Sequence, residues 1–130
     1  MTVRVFLVED MKQVQVVLSD LLTGLGDFRL LHATATEAEA KLWLSEHRGG
    51  WDLAVVDLVL DQGSGMGVIP AARASAGEGG TVVVFSDYAS DGIRAHCLRL
   101  GADAVFLKSQ MHDFMEFCAE LGGLAAAPAA

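Results

Sequence analysis

The chain has 130 residues, with 17 acidic side chains against 9 basic ones and a formal charge of −8. Hydrophobic residues make up 52% and charged residues 20%, a globular composition that excludes disorder and supplies one domain's core without disulfide staples. The acid excess argues against a nucleic-acid or anionic-lipid surface, since both need clustered Lys and Arg, and it leaves divalent-cation binding open.

Five short β-rich runs alternate with five helical stretches. Val3 to Val8 is a near-continuous apolar run, which predicts a strand covered on both faces. Val14, Val17, Leu18, Leu21, Leu22 and Leu25 then form one stripe of an amphipathic helix, with Gly26 placed to end it. Phe28 to His32 reads as a second, shorter strand. Thr36-Glu37-Ala38-Glu39 fits a capping box for a helix through Leu42 and Leu44 that stops at Gly49-Gly50.

Leu53 to Val56 is the third predicted strand, and Gly63-Ser64-Gly65 breaks the chain before a helix over Met66 to Ala74. Pro70 fits that helix only within its first turn. After the loop Gly77-Glu78-Gly79-Gly80, Thr81 to Phe85 forms a fourth strand, and Ser90-Asp91 caps a helix bearing Ile93, Cys97 and Leu100. Gly101 ends that helix and Ala104 to Leu107 is the fifth strand. Ser109 is then placed to cap a last helix with Met111, Phe114, Cys118 and Leu121, closed by Gly122-Gly123. Leu124 to Ala130 is low in complexity, so the predicted domain is 1–122 and the tail or start of a linker is 123–130.

This alternation predicts an α/β fold with a doubly wound parallel sheet and helices on both faces. Cys97 and Cys118 show neither a disulfide framework nor zinc spacing, and their apolar helical positions predict buried thiols in a reducing compartment. The N-terminal apolar run is too short for a signal peptide, and no run approaches the roughly 18–20 residues of a membrane span. A cytoplasmic protein is expected.

In open α/β sheets, ligands bind beyond the carboxyl ends of the strands. Those ends carry Glu9-Asp10, Asp57, Ser86-Asp87 and Lys108-Ser109. Taken singly, each has a plain explanation: Glu9 and Asp10 suit a helix N-terminus, Ser86 a turn and Lys108 a solvated surface. Asp57 is less easily dismissed, because its apolar flanks bury it. Together Glu9, Asp10 and Asp57 would repel strongly unless a proton or a cation intervenes. An all-oxygen set suits Mg²⁺, or Mn²⁺, with a phosphate as a further ligand. A nearby hydroxyl and ammonium would complete a cage for phosphoryl oxygens, and an aspartate there can serve as nucleophile and form an acyl phosphate.

These residues resemble the receiver domain of two-component response regulators. Glu9-Asp10 is similar to that family's acidic pair, Asp57 in its Asp-Leu-Val-Leu context to the phosphoacceptor, and Gly65 to the glycine that follows. Ser86, Gly101-Ala102 and Lys108 match the later motifs in order, so the likeness covers roughly Thr2 to Gly122. The resemblance implies a flavodoxin-like (βα)5 fold with strand order 2-1-3-4-5. It further implies that Asp10, Asp57 and the carbonyl of Val59 ligate Mg²⁺, with Glu9 acting through water. Asp57 would accept a phosphoryl group from a histidine kinase or a histidine phosphotransfer protein, with Ser86 and Lys108 holding the phosphoryl oxygens. Catalysis would be limited to the chain's own phosphorylation and dephosphorylation. The output would be a reshaped surface for a downstream protein or a second copy of the chain, with no nucleic acid and no membrane.

Several positions depart from the family pattern. Glu9 stands where aspartate is commoner, Asp61 at a position often proline, and Asp87 where a small residue is usual. Val105 replaces the usual aromatic switch residue, with Phe106 beside it on the other strand face. Ser109 replaces the proline after the lysine, so the associated cis peptide bond is not expected. Val59 and Tyr88, two residues beyond Asp57 and Ser86, occupy positions that border the route of hydrolytic water in this family. The Val105, Asp87 and Ser109 departures support a second reading, a docking module that works without phosphorylation. A metal-dependent hydrolase is disfavoured by Val59 where a second acid is wanted, and a flavin binder by the absence of a Ser/Thr-Gly-rich loop after the first strand. The chain reads either as a stand-alone regulator or as the front end of a longer one.

Overall fold

β-branched and aliphatic residues at Val3–Val8, Leu53–Val56 and Thr81–Ser86 form the three inner strands β1, β3 and β4 of a parallel sheet. The computed structural model describes residues 2–126. Phe28–Thr34 (β2) and Ala104–Leu107 (β5) are the outer strands, giving the order β2-β1-β3-β4-β5. Five helices connect and follow the strands: α1 Lys12–Leu25, α2 Glu37–Glu46, α3 Gly65–Ser75, α4 Asp91–Leu100 and α5 Met111–Ala126. The expected flavodoxin-like topology is therefore present.

The sheet separates two apolar layers. Phe6, Val56, Ile69, Val84 and Cys97 pack on the side of α2, α3 and α4, with Trp51 anchored by its indole N–H to Ser75 Oγ at 3.0 Å. Leu7, Leu22, Val55, Phe85, Phe114 and Cys118 fill the layer beneath α1 and α5. Both cysteines are buried and unpaired, and burial pushes the Cys118 thiol up to about 12.

The elements differ from expectation at identifiable points. β2 is one of the longest strands, running to Thr34, and not a short one. Exposed and half-buried positions interrupt this edge strand, which hides its length from a search for apolar runs. Helix α3 begins one residue earlier than expected, because Ser64 Oγ accepts the Met66 amide at 3.1 Å. Pro70 therefore lies in the second turn, on the exposed side, where its missing N–H leaves the Met66 carbonyl without its helical donor.

Ser109 does not cap α5. Lys108–Gln110 forms a 3₁₀ turn in which Gln110 Oε1 accepts the Leu107 amide at 2.9 Å. Gly122-Gly123 does not close α5 either, and the helix continues to Ala126. Gly122 instead provides a close approach, since a Cβ there would strike the ring of Phe28. The remainder of the predicted tail, 127–130, lies outside the described residues. Val17, part of the predicted apolar stripe, is half exposed because it lines a groove of about 250 Å³ between α1 and the start of α5. No helix among the described residues is long and apolar enough to cross a membrane.

Candidate functional site

Strand register assembles the site. Val8 of β1 pairs with Val56 of β3, so Glu9 and Asp57 leave the sheet side by side, with the Asp57 amide donating to the Val8 carbonyl at 2.9 Å. On the other side, Val56 pairs with Val84, and Ser86 with Leu107, which carries Ser86 and Lys108 to the same edge. All five side chains predicted from sequence, Glu9, Asp10, Asp57, Ser86 and Lys108, thus gather at the carboxyl end of the inner strands.

Asp57 is held from several directions. Ser86 Oγ donates to its Oδ1 at 2.8 Å, the Val59 amide donates to the same oxygen at 3.2 Å, and Lys108 Nζ donates to Oδ2 at 2.9 Å. Lys108 also donates to Glu9 Oε1 at 2.7 Å, while the Met11 amide donates to Glu9 Oε2 at 3.0 Å. Gln15 Nε2 fixes the Glu9 carbonyl at 2.6 Å. The ammonium therefore bridges two carboxylates in a largely enclosed setting.

Burial disfavours the charged form of Glu9, which is 1% exposed, and pushes its carboxyl up to about 7. Lys108 and the Met11 amide oppose that rise, whereas Asp10 and Asp57 add to it. Lys108 is pulled down by burial, yet its two carboxylate partners outweigh this and hold it above the ordinary lysine value.

Glu9, Asp10 and Asp57 each offer a carboxylate oxygen within 4.8 Å of the others. Hard oxygen donors so grouped fit a small divalent cation such as Mg²⁺. Val59 lies beside the cluster, and its backbone pairs with Ser64 to shape the loop after Asp57. Gly65 is required there, because a Cβ would collide with the Asp57 carbonyl.

Two further expectations concern the surroundings. Val105 is 2% exposed and packs in the α2–α4 layer, whereas Phe106 turns to the opposite face against Phe114 and Phe117. Tyr88 is 62% exposed, with its amide 3.4 Å from Ser86 Oγ. Residues that sequence reasoning missed are Gln15 and Glu37. The first looks like any polar helix position, and the second was absorbed into a capping motif. The glycines that bracket the Glu37 carboxylate, Gly63 and Gly67, were its only trace in the sequence.

No protein-family model and no curated protein matches the sequence. Solved structures do match the fold. The response regulator domain of Thermotoga maritima CheB aligns with a TM-score of 0.75 at 17% identity, covering 92% of this chain and 98% of that one. The signal receiver domain of NarL from Mycobacterium tuberculosis gives 0.74 at 22% identity, covering 92% and 97%. The receiver domain of a sensor histidine kinase from Pseudomonas aeruginosa, with a magnesium ion coordinated in its active-site cleft, gives 0.69 at 22% identity, covering 92% and 99%. The chain has the fold of response-regulator receiver domains. That fold spans the described residues from β1 to α5.

Proposed function

We propose that the protein is a phosphorylation-switched receiver that transfers a phosphoryl group from a protein phosphohistidine to Asp57. The observation that carries this reading is the buried Asp57 carboxylate, held between the Ser86 hydroxyl and the Lys108 ammonium beside Glu9 and Asp10. In the transfer, a carboxylate oxygen of Asp57 bonds to phosphorus as the phosphorus–nitrogen bond breaks. The departing ring nitrogen keeps the electron pair, and the imidazole leaves as neutral histidine because its other nitrogen carries a proton. Lys108 can then leave Asp57 for a phosphoryl oxygen, and Ser86 can donate its hydroxyl to another.

Asp10, Asp57 and the Val59 carbonyl would hold Mg²⁺ or Mn²⁺, with Glu9 contributing through water. The cation would supply neutralisation of charge developing on the phosphoryl group. Turnover is confined to the chain's own phosphorylation and hydrolysis. Partners consistent with this chemistry are a histidine kinase or phosphotransfer protein upstream, and a downstream protein or second copy of the chain, in the cytoplasm. The acidic surface provides no support for nucleic-acid or membrane binding.

Incubation with acetyl phosphate and Mg²⁺ tests the reading. Intact-mass analysis should show one added phosphoryl group on the wild type and none on Asp57→Asn or in excess chelator. An unmodified wild type with both small donors and phosphorylated histidine proteins would refute it. A second reading, docking without phosphorylation, is favoured by Val105, which buries a short side chain where a mobile aromatic would be needed. That reading requires a partner to bind wild type and Asp57→Asn equally, with or without phosphodonor.

A further inference from the structure

We propose that Glu37, at the start of α2, is a positioning residue for the Asp57 site, holding from outside the loop that carries Val59. This inference rests on the phosphoacceptor reading given above. The loop after Asp57 is closed on its inner side: Val59 pairs with Ser64, Ser64 Oγ donates to the Leu58 carbonyl at 3.3 Å, and the Gly65 amide donates to the same carbonyl at 3.0 Å. On its outer side it is tied to α2. Glu37 Oε1 accepts the Ser64 amide at 2.8 Å, and the Glu37 amide donates to the Gln62 carbonyl at 3.1 Å. Thr36 and Gln62 add a parallel backbone pairing, and Lys41 Nζ secures the other Glu37 oxygen at 2.7 Å.

The packing shows that the loop is shaped around this carboxylate. Gly63 has φ +81°, and a Cβ there or at Gly67 would run into the Glu37 side chain. A carboxylate bound by an ammonium and an amide stays ionised, and these partners, Lys41 first, hold Glu37 below the ordinary carboxyl range. From Glu37 the connection to the chemistry is short: its carboxylate holds Ser64, Ser64 pairs with Val59, and the Val59 amide donates to Asp57 Oδ1. Glu37 touches none of the reacting groups. Its effect is to fix where the Val59 backbone sits.

The experiment compares the full chain with Glu37→Ala, Glu37→Gln, Lys41→Ala and Arg73→Ala, reading Mg²⁺ affinity by calorimetry and Val59 and Ser64 amide exchange by NMR. Loss of one such hydrogen bond predicts about tenfold faster Val59 exchange and about tenfold weaker Mg²⁺ binding in Glu37→Ala. Glu37→Gln keeps an acceptor for the Ser64 amide, and Lys41→Ala keeps the carboxylate, so both should stay within about twofold of wild type. Arg73 joins α3 to the Gly80 and Gly101 carbonyls at the far edge of the sheet, so its variant should lose thermal stability and keep Mg²⁺ affinity. Equal Mg²⁺ losses in Arg73→Ala and Glu37→Ala would overturn the proposal, as would unchanged Val59 exchange in Glu37→Ala. If wild type binds no Mg²⁺, the phosphoacceptor reading fails on its own, and the exchange rates in metal-free buffer still decide the role of Glu37.

Discussion

Glu9 gives the site a pH signature that is measurable without divalent metal. Its carboxyl titrates near 7 in the folded protein because burial disfavours the charged form, whereas the unfolded chain releases the proton near 4.5. The folded state is thus the tighter proton binder. Stability from this group is full below pH 4.5, falls as pH rises and is gone above about 7. A gap of about 2.5 pH units corresponds to about 3 kcal/mol, of which about 2–3 kcal/mol lies between pH 5 and 8.

For a domain of this length such a loss lowers the unfolding midpoint by roughly 10 °C. Urea or thermal unfolding of wild type and Glu9→Gln in chelator at pH 5 and pH 8 isolates the effect. Protonation changes common to both proteins cancel in the difference between them. Lys108 does not interfere, because its raised value means that its contribution is lost only above the ordinary lysine range. Wild type should lose about 2–3 kcal/mol more than Glu9→Gln between the two pH values, and saturating Mg²⁺ should reduce that gap by favouring the ionised carboxylate. Parallel pH profiles in chelator would refute the claim that burial governs Glu9.

Pro70→Ala should stabilise the protein by about 1–3 kcal/mol, seen as a higher urea midpoint, because the new amide can reach the Met66 carbonyl. An unchanged midpoint would mean that the second turn of α3 has already relaxed around the proline. On the proposed function, if the Tyr88 side chain screens the acyl phosphate from water, Tyr88→Ala shortens its lifetime, and loss of about 1 kcal/mol of barrier is roughly fivefold in rate. Equal decay of labelled wild type and variant would discard that role.

What the sequence disclosed depended on how local the determining contact was. Glu9, Asp10, Asp57, Ser86 and Lys108 were legible because each ends an apolar β run, and a parallel sheet necessarily delivers such ends to one edge. The two-residue strand period alone places Val105 and Phe106 on opposite faces, and they pack in separate layers. Helix ends were harder. Ser109 has the chemistry of a cap, yet Gln110 performs the task by reaching back to the Leu107 amide. Gly122 has the chemistry of a stop, yet its lack of a side chain serves packing against Phe28.

Glu37 marks the limit of local reasoning. Its position beside Thr36 explains an acid in the first turn of α2 completely, so nothing in the motif calls for a second role. The partner that gives it one, the Ser64 amide, is 27 residues away and becomes adjacent only once β3 lies next to β1 and the following loop folds back on α2. Gly63 and Gly67 then stop being generic loop and helix glycines and become the space the carboxylate occupies. The chemistry of the site can be read strand by strand, but the stiffness of the loop carrying Val59 is a property of the assembled sheet and helix. A substitution at Glu37 should therefore alter the behaviour of Asp57 without touching any residue in the acidic cluster.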